Sequence, residues 1–370
     1  MTWVLVGALG IFIAADFGLT ATQKGFLVAV PLLGGSLFRI GIGVLTDRYG
    51  PRRIGLASML LAAIPLVWAW LAGESLSQMI GVGLLLGVAG ASFAVSLPLA
   101  SRAYPLAHQG LAMGVAGSGN SGAIVSIALA PLLAVKLGWH GVFGLLTPVV
   151  FVIAGVYWLL ARDHEPTDGS AHPREFSVLL REPDAYWFCA LYAITFGGFV
   201  GLSSYLSIFF FDQYGLSRVE AGWAAAACAL AGSFSRPVGG FMADRHGGLR
   251  VLALLYPAIA VLTGVASLLV PFPAALTSLF LAMLCLGMGN GVIFQVVPQR
   301  FSREIGTISG LVGAAGGIGG FLLPSALGLF KDLSGTYATG FAIFAAVCVL
   351  IMPAVVMCWR PGLQNMVPRI

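Results

Sequence analysis

The chain has 370 residues, 59% of them hydrophobic and only 9% charged. Soluble domains carry about 25% charged residues, so this chain cannot clothe a water-facing surface of its own size. Its net charge of +5 does not point to nucleic acid, since the basic residues sit in short loops between apolar runs.

A membrane-spanning helix needs about 20 mostly apolar residues. Taken in chain order between polar breaks, the spans predicted are 3–18, 26–46, 54–73, 78–101, 110–135, 139–161, 185–211, 219–243, 249–271, 274–299, 306–330 and 338–359. The expected fold is therefore an all-α membrane protein of twelve helices in two pseudo-symmetric six-helix halves, 1–161 and 185–370. A polar linker over 162–184 joins them. The first span is short, since its uninterrupted apolar part runs only from Trp3 to Ala15. It lacks the basic start and small-residue cleavage site of a signal peptide. The expectation is a truncated first helix, with Met1 standing inside a longer one.

Basic residues set the orientation. Thirteen Arg and Lys fall in the tail and in or at the edge of the connections after even-numbered spans, against four in the other connections. By the positive-inside rule both termini and the linker are expected on the cytoplasmic side. The five cysteines lie in or at the end of apolar runs and read as small filler, and no metal or cofactor is expected. The five histidines fall in loops, with no nucleophile–base pair at one depth, so an enzyme is not expected. A soluble output domain, which a membrane sensor needs, has no room.

The two halves repeat at one offset of 197 residues. Gly35, Arg39, Gly43, Asp47, Arg48 and Gly50 correspond to Gly232, Arg236, Gly240, Asp244, Arg245 and Gly247. The first four of each set are spaced by four and form one stripe along a helix face. The same offset links Gly90 with Gly287, Gly119 with Gly316, and Gly122 with Gly319. Paired structural repeats around a central site are a common plan of secondary transporters.

Asp47 and Asp244 end their helices, and eight residues at about 1.5 Å each put Arg39 and Arg236 roughly 12 Å deeper. That is near the middle of a hydrocarbon core about 30 Å thick. A charge at that depth costs about 2.5–3.5 kcal/mol even on insertion scales. All fourteen Asp and Glu fall in loops or at helix ends, so the pair points to an exogenous anion. A guanidinium fork matches a planar oxyanion with two parallel hydrogen bonds, which lysine cannot reproduce. The plainer reading is an arginine that binds a helix carbonyl and braces the fold. Two glycine-rich segments, Gly114 to Gly122 and Gly310 to Gly320, place smooth ridges on the fifth and eleventh spans. Close helix packing is a sufficient reading of both, and a surface on which helices slide is the functional one.

Gly43-Val-Leu-Thr-Asp47-Arg48-Tyr-Gly50-Pro-Arg52-Arg53 resembles the loop signature of the major facilitator superfamily, with a degraded copy at Gly240 to Gly247 carrying Asp244 and Arg245. Two segments resemble the signatures of the nitrate/nitrite porter family. They are Gly117-Ser-Gly119-Asn120-Ser-Gly122 and Gly313-Ala-Ala-Gly316-Gly317-Ile-Gly319-Gly320. The paired arginines and Gly287-Met-Gly289-Asn290-Gly291 fit as well. Ala123, where a further glycine is common, departs from the pattern. The resemblance implies that Arg39 and Arg236 clamp the anion. It further implies that Asn120 and Tyr192 hydrogen-bond the anion, and that Phe196 and Phe93 sandwich it. It also implies a cytoplasmic gate of Asp47, Arg48, Arg52 and Arg102.

The implied function is transport of nitrate, with nitrite as a second substrate, across a bacterial inner membrane by alternating access. Nitrate/nitrite exchange and nitrate/proton symport are both open. The alternative keeps the fold and changes the cargo to another small or organic anion. A monomer is expected.

Overall fold

In a computed structural model of the chain, residues 1–96, 99, 118–162, 182–301 and 305–357 are described, and they are nearly all helical. A 3-10 turn at Thr2–Val4 leads into α1 (Leu5–Ala8) and α2 (Gly10–Phe17). Then come α3 (Ala21–Tyr49), α4 (Pro51–Ala72), α5 (Leu76–Gly90) and, after a 3-10 turn at Ser118–Ser121, α6 (Gly122–Leu160). The rest of the chain gives α7 (Pro183–Tyr214), α8 (Arg218–Phe234), α9 (Arg236–His246), α10 (Gly248–Ser267) and α11 (Phe272–Arg300). It closes with α12 (Ile305–Ser334), α13 (Ala338–Leu350) and α14 (Met352–Met357).

Among the described residues, 8 helices are long and apolar enough to cross a membrane by length and composition. The twelve-helix plan is present, and the difference has local causes. α6 counts once but contains two helices that meet at Gly138, whose φ of 69° suits glycine. Short pieces build the first, eighth and twelfth passes, which break at Leu9, Ser235 and Ile351. The fourth and fifth spans were expected to reach 101 and to start at 110. Those ends lie outside the described residues.

The eighth span, expected as one helix over 219–243, is instead α8 and α9 in series. Pro237 lies in the first turn of α9, where a missing N–H is tolerated, but its ring would clash with the carbonyl four residues back in a continuous helix. The Ser235 hydroxyl at the break donates to the Leu284 carbonyl at 2.8 Å. α3 runs unbroken past Arg39, so the two halves differ here. They agree again at the turns after the stripe, where Gly50 and Gly247 have φ of 87° and 88°. That left-handed requirement accounts for the repeated glycine.

Helices cross where side chains are absent. A Cβ on Gly87 would run into the Gly34 backbone, and one on Gly287 into the Gly232 carbonyl. Thus α3 crosses α5 much as α8 crosses α11, each crossing about a turn from an arginine. Two more crossings join the halves. Gly25 of α3 lies against the Pro324 carbonyl and Gly328 of α12, and Gly222 of α8 lies against the Ile127 carbonyl and Pro131 of α6. These sets match at the offset of 197: Gly25 with Gly222, Ile127 with Pro324, Pro131 with Gly328.

Beside the first of these crossings the halves are tied by charge. Lys24 Nζ pairs with Asp212 at 2.8 Å, and the Tyr337 hydroxyl donates to the same carboxylate at 3.0 Å. Tyr205 donates to the Tyr337 oxygen at 3.3 Å. Asp332 accepts from the backbone N–H of Ala21 and Thr22, at 3.1 and 2.7 Å, and so caps α3 from the other half. These contacts tie the two halves together at this end of the bundle. Trp139 donates to Asp16 at 2.6 Å, and His140, expected in a loop, stacks on Trp139 within α6.

Candidate functional site

Arg39 is buried, only 7% exposed, on the stretch of α3 that faces α12. Its Nη1 donates to the Gly313 carbonyl at 2.6 Å and its Nη2 to the Gly90 carbonyl at 3.1 Å. So the bracing role is present in fact. It leaves Nε buried without a hydrogen-bond partner among the described residues. Arg236 opens α9. Its guanidinium carbon lies 5.6 Å from the Phe196 ring centroid and 5.0 Å from that of Phe199. Arg39 lies 5.8 Å from the same Phe196 ring. One ring therefore lies against both cations, which brings the two repeat-related arginines together.

Tyr192 and Phe196 are one turn apart on α7 and stack with centroids 4.9 Å apart and planes 6° apart. Phe294 of α11 meets Tyr192 edge-on at 5.0 Å. A cation over a desolvated ring gains about 2 kcal/mol, so the stack offsets part of the cost of burying two charges.

The glycines of the second signature make this geometry possible. A Cβ at Gly313 would lie 2.7 Å from Arg39 Nη1. At Gly316 it would lie 2.6 Å from Tyr192 and 2.8 Å from Phe196. At Gly317 it would strike the Ser36 hydroxyl, and at Gly320 it would lie 2.6 Å from Val200. The segment is a fitted seat for the arginine and the rings, as close packing requires.

Phe93 is half-buried and lines a cavity of about 160 Å³ with Trp3, Gly90, Ser92 and Gly119. Gly90, which lines this cavity, also offers its carbonyl to Arg39. Asn120 follows Gly119 in the turn Ser118–Ser121. A Cβ on Gly122 would lie 3.5 Å from Met1. Gly117 and Arg102 lie outside the described residues.

The loop-signature residues gather at the far end of α3 and α9. Asp47 is in the last turn of α3, and Gly43 has, among the described residues, only the Ala94 side chain near its Cβ position, at 3.8 Å. Arg48 and Arg245 are exposed. Arg52 donates to the Trp158 carbonyl at 2.8 Å and lies 4.2 Å over its ring, clasping α4 to α6. Asp244 accepts from Gln295 of α11 at 2.7 Å. Sequence reasoning missed Gln295, Phe199 and Phe294. Their signal was weak, since an aromatic or amide in an apolar span reads first as core.

A buried and a half-buried arginine sharing one ring stack, within a bundle of membrane-length apolar helices, match the class of polytopic solute transporters. The chain belongs to the Major Facilitator Superfamily, whose family model matches residues 1–324, and within it to the nitrate/nitrite porters. It is 32% identical to the nitrite extrusion protein of Bacillus subtilis (strain 168), over 100% of this chain and 93% of that protein. It is 34% identical to the protein named probable nitrate/nitrite transporter NarK2 of Mycobacterium tuberculosis, over 94% of this chain and 90% of that one. Among solved structures, a bacterial homolog of the human lysosomal transporter Spinster, in an inward-facing and occupied conformation, superposes with a TM-score of 0.68. It does so over 99% of this chain and 94% of that one, at 20% identity, a likeness of fold alone.

Proposed function

We propose that this chain carries nitrate, and nitrite as a second substrate, across a bacterial cytoplasmic membrane by alternating access. The observation that carries the reading is the sharing of the Phe196 ring by Arg39 and Arg236. Two guanidiniums against one ring suit a small planar anion, which both cations and the ring face can contact together. The names of the relatives point the same way. Arg39 and Arg236 clamp the anion, Tyr192 and Asn120 hydrogen-bond it, and Phe196 and Phe93 flank it. The halves rock about this site, with Asp47, Arg48, Arg52 and Arg102 at the cytoplasmic gate and both termini cytoplasmic. The end tied by Lys24 and Asp212 is then the outer end, and the chain works as a monomer.

The mode follows from charge. At an effective dielectric near 20, two unit charges some 8 Å apart repel by about 2 kcal/mol. One monovalent anion between them turns repulsion into net attraction, so the loaded site closes more readily than the empty one. A carrier that reorients only when loaded is an exchanger, and nitrate/nitrite exchange is the mode this favours over proton symport.

The test is uptake of labelled nitrate by proteoliposomes carrying Arg39→Lys or Arg236→Lys. Each keeps the charge and loses the bidentate fork. Transport should collapse while the protein still folds, and wild-type rates in either variant would overturn the clamp.

A further inference from the structure

We propose that Asn290 is a further anion-contact residue, the second half's counterpart of Phe93, donating its carboxamide N–H to the bound oxyanion. This rests on the proposed function and adds a residue to its site.

Three observations converge on it. The first is the repeat. Asn290 lies 197 residues after Phe93, three beyond Gly287 as Phe93 is three beyond Gly90. Phe93 lines the cavity beside the Gly90 carbonyl that receives Arg39. Asn290 occupies the matching position beside Arg236.

The second is local packing. A Cβ on Gly291 would strike the Arg236 carbonyl, and one on Gly289 would lie 2.7 Å from the Thr195 side chain of α7. Asn290 stands between these two glycines, so it lies where α11 is wedged between α7 and the start of α9. Phe294 is one turn further along the same face, and its ring abuts Tyr192 at 5.0 Å.

The third is an unmet hydrogen-bonding demand. Asn290 is 1% exposed, and both its amide nitrogen and its amide oxygen are buried without a partner among the described residues. Because neither atom is satisfied, exchanging the two by an amide flip changes nothing. A buried polar group left unmade costs about 1–3 kcal/mol, and a leucine of similar volume would avoid that cost. The carboxamide is therefore retained against stability. A bound oxyanion supplies the acceptor its N–H lacks. Its oxygen is left to accept from a water or donor that enters with the anion. The site thus has a ring on one side of its pseudo-two-fold and an amide donor on the other, so it presents the two faces of a planar ion with different chemistry.

The test compares the wild-type protein with Asn290→Leu and Asn290→Ser, using nitrate as the probe in two readouts. Initial nitrate uptake into proteoliposomes gives KM, and melting in detergent with and without nitrate gives the ligand-induced stabilisation. Asn290→Leu is expected to raise KM for nitrate about tenfold or more and to shrink the nitrate-induced melting shift. In the absence of nitrate it should melt no lower than wild type. Asn290→Ser, with a shorter donor, should fall between. If Asn290→Leu melts lower without nitrate but keeps wild-type KM and nitrate shift, the residue is structural and the inference is overturned. A wild-type protein that neither takes up nitrate nor is stabilised by it would overturn the proposed function and this inference together. A responsive wild type matched by Asn290→Leu would overturn this inference alone.

Discussion

Adding one methyl group at Gly316 measures how tightly the ring stack is seated. A Cβ there would lie 2.6 Å from Tyr192 and 2.8 Å from Phe196, where ordinary carbon contacts are about 3.5–4.0 Å. The two rings must therefore retreat by nearly 1 Å, and they have little room, being 3% and 2% exposed with Phe294 behind Tyr192. Overpacking of this kind costs about 1–3 kcal/mol. Because Phe196 carries both guanidiniums, much of that strain falls on the site. At about 1.4 kcal/mol per tenfold, Gly316→Ala should weaken nitrate binding roughly five- to hundredfold. Gly310→Ala is the control on the same helix, for a Cβ there meets nothing within 4 Å among the described residues. The assay is the melting shift produced by nitrate in detergent, alongside initial uptake in proteoliposomes. Equal nitrate affinity in Gly316→Ala and Gly310→Ala would refute the claim that the glycine seats the site.

Two further predictions concern movement and coupling. Asp212→Asn removes the ion pair to Lys24 and weakens the Tyr337 contact across the halves; a part-buried pair of this kind is worth about 1–2 kcal/mol, between exposed and buried cases. The tied end should then open several-fold more often, read as faster reaction of a cysteine placed at Thr22 with an impermeant maleimide; an unchanged rate would show that the tie does not hold this end. For coupling, vesicles preloaded with nitrite should take up nitrate faster than vesicles without a permeant anion, and concentrative uptake into the latter that a protonophore abolishes would show exchange to be the wrong mode.

Much of the plan was legible in the sequence because lipid imposes it. Apolar length marks the passes, and the spacing of Gly35, Arg39 and Gly43 marks a helix face. What was not legible depends on three-dimensional contact. Lys24 and Asp212 are separated by 188 positions, and neither sits in a motif. The bracing of Arg39 by two carbonyls was an open alternative, because backbone acceptors leave no trace in side-chain spacing. The break before Arg236 had a visible cause in Pro237, but apolar length alone ran the span through it. Gly25 and Gly222 obey the same offset as the arginine stripe, but each stands alone, outside any glycine-rich run. Asn290 was legible as part of a glycine-rich run. Its unmet hydrogen bonds required the burial and partners of both amide atoms.

The paired crossings at Gly25 and Gly222 have a mechanical consequence. Each brings backbone against backbone or against a proline ring, with no long side chain to interlock, and the two are copies of one contact related by the repeat. A rigid body pinned at two points keeps a single rotation, about the line that joins the pins. While both contacts persist, each half is left with one degree of freedom relative to the other. Any displacement at the arginines is then set by their distance from that axis, so a few degrees of turn become ångströms at the rings. In the proposed alternating access, this duplicated glycine contact would give the two helical bundles a lever with a fixed fulcrum.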